Sequence, residues 1–342
     1  MRSTAQRIAD VQCLLEAAKR VAGDPSLVPM LVASTGLSRE GVELGLSRHL
    51  ETEATDEQLA SLVASAGETP RVHVILSANV FVAPLRAIAL ALAASEQVTV
   101  RPSRREPHFA RALVQALGDE RVQLAEVRPA DVDRGEIHVY GRDETIDVVR
   151  AAARPGVRVR GHGAGMGVAL VTGDLEPAAA LLAEDVVAFD QRGCLSPRVA
   201  FVTTYAQAFG RALRDAIDAR AKEIPRGRLD QAELSDLALW ASTVGYAGTL
   251  LSGDSCAVGV LEQLALPPTG RHVLVVPIAS PRELPARLAP AARFVVTIGS
   301  DAEPELVRQL APPHARIARL GEMQRPPLDG PVDRRYSADH SS

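Results

Sequence analysis

The chain has 342 residues, is 46% hydrophobic and carries a formal net charge of −4. That length accommodates two domains, and the charge argues against bulk attachment to nucleic acid or to an anionic membrane. Aromatic residues make up only 3%, so Ala, Val and Leu must fill the core.

Lys19 and Lys222 are the only lysines, and arginine carries nearly all the positive charge. Cys13, Cys194 and Cys256 lie far apart with no paired spacing. This excludes a disulfide framework and a zinc ribbon, predicts no metal site and fits a reducing, cytoplasmic setting. The N-terminal MRSTAQRIADVQ lacks an apolar run of signal-peptide type.

Residues 1–70 read as a helical segment, from apolar spacing near 3.6 with Ser and Thr at plausible caps. From residue 71 the texture changes. RVHVIL, QVTVR, RVQLAEV and EIHVYG read as strands, with APLRAIALALAAS, PHFARALVQALGD and DETIDVVRAAA as helices around them. SANVFVAPLRAIALALAAS (77–95) has membrane-spanning length, but Pro84 and Arg86 make it a strand end followed by a buried helix. Alternation of this kind predicts an α/β fold with a parallel, twisted sheet, whose ligands bind at the carboxyl ends of its strands.

A second α/β region follows residue 160. VALVTG and VVAF look strand-like, RVAFVTTYAQAFGRALRDAIDARAKEI and DQAELSDLALWASTVGYAG supply long helices, and CAVGV, HVLVVPI and ARFVVTIG look like later strands. The resulting division is 1–70 helical, 71–160 a Rossmann-like cofactor domain, 161–315 a catalytic domain and 316–342 a proline- and arginine-rich tail. Its last ten residues are expected to be disordered.

GHGAGMG (161–167) fails as a dinucleotide fingerprint, because no glycine fills the sixth position and a strand rather than a helix follows. It reads as a glycine-rich turn containing one titratable group, His162. Asn79 follows the first strand as a turn residue or, functionally, as an oxyanion donor. Arg101, Ser103, Arg104 and Arg105 cluster after the second strand, where a Rossmann-like fold chooses between a ribose hydroxyl and a 2′-phosphate, and arginine favours NADP(H). Cys13 and Cys256 have apolar neighbours and read as structural. Cys194 sits in the polar turn FDQRGCLSPR, where Arg192 could favour a thiolate. Context alone leaves it open between a buried inert thiol and a nucleophile.

FDQRGCLSPR (189–198) resembles the cysteine motif of the acyl-CoA reductase family, known from the fatty-acid reductase of luminous bacteria and part of the aldehyde-dehydrogenase superfamily. The segments 72–113, 139–150 (VYGRDETIDVVR) and 159–171 (VRGHGAGMGVALV) are similar to further blocks of that family. They occur in the family's order across about residues 25–335. The resemblance implies an aldehyde-dehydrogenase-like fold, a Rossmann-like cofactor domain followed by an α/β catalytic domain with the nucleophilic cysteine. By position it implies Cys194 as acyl acceptor and Asn79 as oxyanion donor, with His162 a candidate for proton transfer. Arg101, Ser103, Arg104, Tyr140, Gly141, Glu144 and Thr145 fall where the superfamily holds its dinucleotide, here NADP (NADPH). The implied substrate is an acyl-CoA or an acyl-carrier protein. An acyl-transferring partner enzyme and a homo-oligomer are compatible with it. This chain departs from the family's pattern at Ser77-Ala78, Phe81, Arg101 and Arg142. An acyl-phosphate reductase and a degenerate acyl-binding scaffold stay open as alternatives.

Overall fold

The computed structural model describes residues 2–203 and 205–335. It divides into two compact units. The first comprises the chain up to Thr35, then Gly45–Ala164 and Pro327–Val332, and the second comprises Gly36–Leu44, Gly165–Pro326 and the chain from Asp333. The N-terminal helical region thus falls mostly in the first unit, with 36–44 in the second, and the C-terminal tail contributes to both.

In the first unit, α1 (Thr4–Ala22) and α4 (Asp56–Ala66) each begin with a reciprocal capping box, Ser3 with Gln6 and Thr55 with Gln58. Such boxes satisfy two otherwise orphaned N–H groups at a helix start. Between them lie α2 (Leu27–Thr35) and α3 (Arg39–Arg48). The alternating part follows: β1 (Val72–Ile75), α5 (Pro84–Ala94), β2 (Val98–Arg101), α6 (His108–Leu117), β3 (Val122–Leu124), β4 (Glu136–Tyr140), α7 (Asp143–Ala152) and β5 (Arg158–His162). Among the described residues these strands form one parallel sheet in the order β3-β2-β1-β4-β5. Every residue of α5 is buried, so the helical part of the apolar run at 77–95 is a core helix. Its one cation, Arg86, pairs with Glu51 at 2.8 Å and donates to the carbonyls of Pro327 and Gly330. No helix among the described residues is long and apolar enough to cross a membrane.

The second unit contains β6 (Met166–Val171), α8 (Leu175–Val187), β7 (Pro197–Val202), α9 (Ala206–Glu223), α10 (Gln231–Ala247), β8 (Thr249–Ser252), β9 (Ala257–Val260), β10 (His272–Pro277), α11 (Leu284–Leu288), β11 (Val295–Ser300), α12 (Pro304–Leu310) and β12 (Arg316–Arg319). Its sheet runs β12-β11-β6-β7-β10-β9-β8, with only β8 antiparallel to its neighbour among the described strands. Side chains alternate across it, as a pleated strand requires. Ala169, Val171, Ala200, Val202, Val273 and Val275 face one apolar core, while Val168, Leu170, Val199, Phe201, Leu274 and Val276 face another.

Three readings change. RVAFV is the central strand β7 rather than the start of a helix, and α9 begins only at Ala206. VVAF is not a strand: Val186 and Val187 end α8, and a 3-10 turn takes over at Ala188. Cys13 is exposed on α1 and fills no core, whereas Cys256 is buried. The disorder expected for the last ten residues falls mainly on 336–342, outside the described residues. Within them, Asp333 is buried and bonds Arg335.

The carboxylate of Asp185, in the last turns of α8, docks the segment after β12 by accepting from the N–H groups of Gly321 (2.7 Å) and Met323 (2.9 Å). Burial nevertheless pushes this carboxyl up to about 7, against those two donors. Met323 then fills the space left by two glycines, Gly167 and Gly299, where any Cβ would overlap its side chain.

Two predictions follow from this packing. Gly135 precedes β4 with φ +91°, and a Cβ there would overlap the Arg71 carbonyl. Gly135→Ala is therefore expected to cost about 2 kcal/mol or more, read from urea unfolding. For Asp185 the folded state holds the proton more tightly than the unfolded chain, whose value is 3.8. Its contribution is full below that value and is lost as pH rises through about 7. Stability of wild type relative to Asp185→Asn should fall by about 1.4 kcal/mol per pH unit across this window. A difference that grows with pH would show instead that the two N–H bonds keep the carboxylate ionised.

Candidate active site

Cys194 lies half-buried in the second unit, on the turn between α8 and β7. The three residues Phe189, Asp190 and Gln191 take φ values of 53°, 49° and 63°, the left-handed region that L-residues avoid. Such backbone costs roughly 1–3 kcal/mol per residue and persists only where the surroundings impose it. Here they do. The buried Asp190 carboxylate accepts from Arg271 at 2.7–2.8 Å and from the Gly227 N–H at 2.9 Å. The Asp190 carbonyl accepts from Gly270 N–H at 3.1 Å. Gln191 is held by three bonds: its Nε2 donates to the carbonyls of Pro197 (2.6 Å) and His272 (2.7 Å), and its Oε1 accepts from His272 N–H (2.8 Å). Arg271 also donates to the Ile224 carbonyl at 2.8 Å, and burial lowers its pKa against the pull of Asp190. The Asp-Gln pair is thus the anchor of the turn that presents Cys194.

Downstream, Ser196 N–H closes the turn on the Gly193 carbonyl at 3.1 Å, and the Ser196 carbonyl accepts from Gly167 N–H at 2.8 Å. Its hydroxyl receives the Gln324 side-chain amide at 3.2 Å. The glycines of the 161–167 stretch serve this approach. A Cβ on Gly165 would lie 3.2 Å from the Cys194 Cβ and would overlap Val296, and one on Gly167 would overlap the Leu195 carbonyl. Arg192 is bonded to the Arg228 carbonyl at 3.0 Å and paired with Glu233 at 3.5 Å. Arg198 is the extra residue where β7 bulges against β6, and burial lowers its guanidinium to about 10.

The other candidate residues stand in the first unit, at the carboxyl edge of its sheet. Asn79 is exposed on the β1–α5 turn, and its Oδ1 accepts from Arg105 at 3.3 Å, which leaves its NH₂ free to donate elsewhere. Arg101 pairs with Glu126 at 3.0 Å, the Ser103 hydroxyl accepts from Arg105 N–H at 3.3 Å, and Arg104 is exposed. At the ends of β4 and β5 the rings of Tyr140 and His162 stack at 4.3 Å and 11°. Gly141 N–H donates to the His162 carbonyl at 3.1 Å. Glu144 and Thr145 are exposed in the first turn of α7, and Asp143 there accepts from Ala164 N–H at 3.0 Å.

Tested against a phosphorylated dinucleotide, these two groups differ. The cations and amide around Asn79, Arg101, Arg104 and Arg105 suit an anionic ligand. At the α7 N-terminus the carboxylates of Asp143 and Glu144 already face the positive end of the helix dipole, and their charge opposes a pyrophosphate there. Arg105, which touches both Asn79 and Ser103, is the residue of this edge that motif matching left out of the cofactor set. Among the described residues no cluster of His, Cys, Asp and Glu could hold a metal ion.

The chain is similar in fold to aldehyde dehydrogenases of known structure. It matches the NADP-dependent glyceraldehyde-3-phosphate dehydrogenase of Bacillus halodurans C-125, solved with NADP, at 14% identity and TM-score 0.66, over 94% of this chain and 80% of that one. The NAD-dependent benzaldehyde dehydrogenase of Corynebacterium glutamicum matches at 17% identity and TM-score 0.68, over 95% and 83%. The salicylaldehyde dehydrogenase of Pseudomonas putida G7 matches at 14% identity and TM-score 0.69, over 94% and 78%. No curated protein sequence matches the chain. The sequence profile of the acyl-CoA reductase (LuxC) family matches residues 43–333. The chain belongs to that family.

Proposed function

We propose that this protein reduces a fatty acyl thioester, carried on CoA or on an acyl-carrier protein, to the aldehyde through an acyl–Cys194 intermediate. Family and fold make it an oxidoreductase of the acyl and aldehyde type. The observation that carries the finer reading is the turn 189–196, strained yet fixed by Asp190 and Gln191, because such strain is retained where a reacting group must be presented.

In this reading the Cys194 thiolate attacks the thioester carbonyl, forming the S–C bond. The family resemblance assigns stabilisation of the oxyanion to the Cys194 backbone N–H and the Asn79 amide. As the carbonyl re-forms, the C–S bond to the carrier breaks and the departing thiolate takes up a proton. A bound NADPH supplies the hydride. Cys194 then leaves as thiolate when the aldehyde carbonyl forms. His162 is the proton-transfer candidate of this scheme, with its ring oriented by the stack on Tyr140. Arg104 and Arg105 support NADPH over NADH, since a planar cation suits a 2′-phosphate. A cytoplasmic setting, an acyl-transferring partner and self-association accord with this chemistry.

A second reading is an acyl-binding scaffold without turnover. The carboxylates of Asp143 and Glu144, set where a pyrophosphate would approach, favour it.

Intact-protein mass after mixing with an acyl-CoA series, then NADPH, separates the two. Wild type is expected to gain the acyl mass and lose it as aldehyde on adding NADPH, and Cys194→Ala to gain none. An adduct that persists with NADPH supports the scaffold, and no adduct with any CoA or carrier thioester refutes the reductase. In fluorescence titrations Arg104→Ala should weaken NADPH binding roughly tenfold and leave NADH nearly unchanged.

A further inference from the structure

The C-terminal segment reaches the nucleophile turn at two points. Gln324 bonds Ser196, two residues after Cys194. Eleven residues later comes Arg335: its Nη2 lies 3.5 Å from the point where a Gly165 Cβ would stand, and the Cys194 Cβ lies 3.2 Å from that same point. No Asp333 atom comes as near to it, because Val296, Cys194 and Arg335 supply the three closest atoms.

The guanidinium is held at all three of its nitrogens. Asp333 is buried and takes Arg335 Nε at 2.8 Å and Nη2 at 2.6 Å in a two-pronged pair, and it also accepts the Arg335 backbone N–H at 3.0 Å. Nη1 donates to the Arg293 carbonyl at 3.0 Å. A fork fixed in this way loses little freedom when it meets an anion, and its Nη2, which Asp333 also holds, is the Arg335 atom nearest the Gly165 position that the Cys194 Cβ approaches.

We propose that Arg335 is a positioning residue of the Cys194 site, whose charge favours the thiolate that attacks the substrate. The proposal rests on the reading of Cys194 as nucleophile. The other charged groups around the turn are already engaged or distant in role. Asp190 is neutralised by Arg271, and Arg192 by Glu233. The Arg293 guanidinium lies over the Phe294 ring at 4.5 Å. Asp185 spends its carboxylate on Gly321 and Met323, and Arg198 issues from the bulge in β7. Asp333 binds Nε and Nη2 of Arg335 and offsets part of its charge. Gly165 adds no side chain at this point, to which the Val296 Cγ2 is the nearest atom.

The test is the pH dependence of Cys194 alkylation by iodoacetamide in the full chain. It is read on the Cys194 peptide by mass spectrometry, so that exposed Cys13 does not contribute. In each alkylation the thiolate forms the S–C bond and iodide leaves. Arg335→Gln is expected to move the midpoint up by about one pH unit, which is about tenfold less thiolate below both midpoints. Arg335→Lys should return most of that shift, since it keeps the charge. A midpoint unmoved in Arg335→Gln overturns the proposal and leaves the nucleophile reading standing. A lower rate at every pH with the same midpoint means that Arg335 only braces the turn, which also overturns it. If wild-type Cys194 resists alkylation at every pH, both readings fall together.

Discussion

The geometry of the second unit depends on one buried ion pair, Asp190 with Arg271, each 1–2% exposed. In energetic terms such a pair is a poor source of stability, since removing two charges from water offsets most of their attraction. Its effect is on conformation. With one oxygen on Arg271 and the other on Gly227 N–H, the carboxylate dictates where Asp190 lies, and therefore the left-handed run through Gln191. Gln191 then ties that run to the beginnings of β7 and β10 at once. A cysteine four residues after Asp190 has little freedom left.

The close approach of two backbones explains the glycines nearby. GHGAGMG lacks the spacing to cradle a dinucleotide, and its role here is steric. Gly165 and Gly167 let β6 pass against Leu195 and Cys194 at distances no side chain permits. A glycine-rich stretch records only that a Cβ is forbidden. Whether the forbidding atom is a phosphate or another part of the chain is decided by the fold.

What could be read in advance follows from the range of the interactions. β1, β2 and β4 are apolar runs bounded by turn residues, and their strand character is local. α5 was legible too, because eleven buried positions in a row admit few alternatives. RVAFV was not, since only two threonines and a tyrosine separate it from the helical pattern of α9. β5 (RVRGH), β8 and β12 are short or charged and take their state from neighbouring strands. In the candidate site the Asp-Gln and Cys pattern stood out through its resemblance to a family. Its partners did not: Arg271 and His272 lie about 80 residues away in the chain and meet the motif only across the sheet. Gln324 and Arg335 belong to a proline- and arginine-rich segment whose composition resembles a tail, and composition carries no information about what it touches.

The three thiols show how environment, rather than residue type, sorts chemistry. Cys13 is exposed on a helix, with no pattern around it that names a task. Cys256 is buried beside the Asp218 carboxylate, and both effects act in one direction, pushing its thiol up to about 12. Desolvation and a neighbouring anion each disfavour the thiolate, so Cys256 remains a small apolar filler. Cys194 is less buried, and under the proposal above the Arg335 guanidinium, whose Nη2 approaches the same Gly165 position as the Cys194 Cβ, supplies the opposite sign of charge. The physics that silences one cysteine is the same physics, with its sign reversed, that would arm the other.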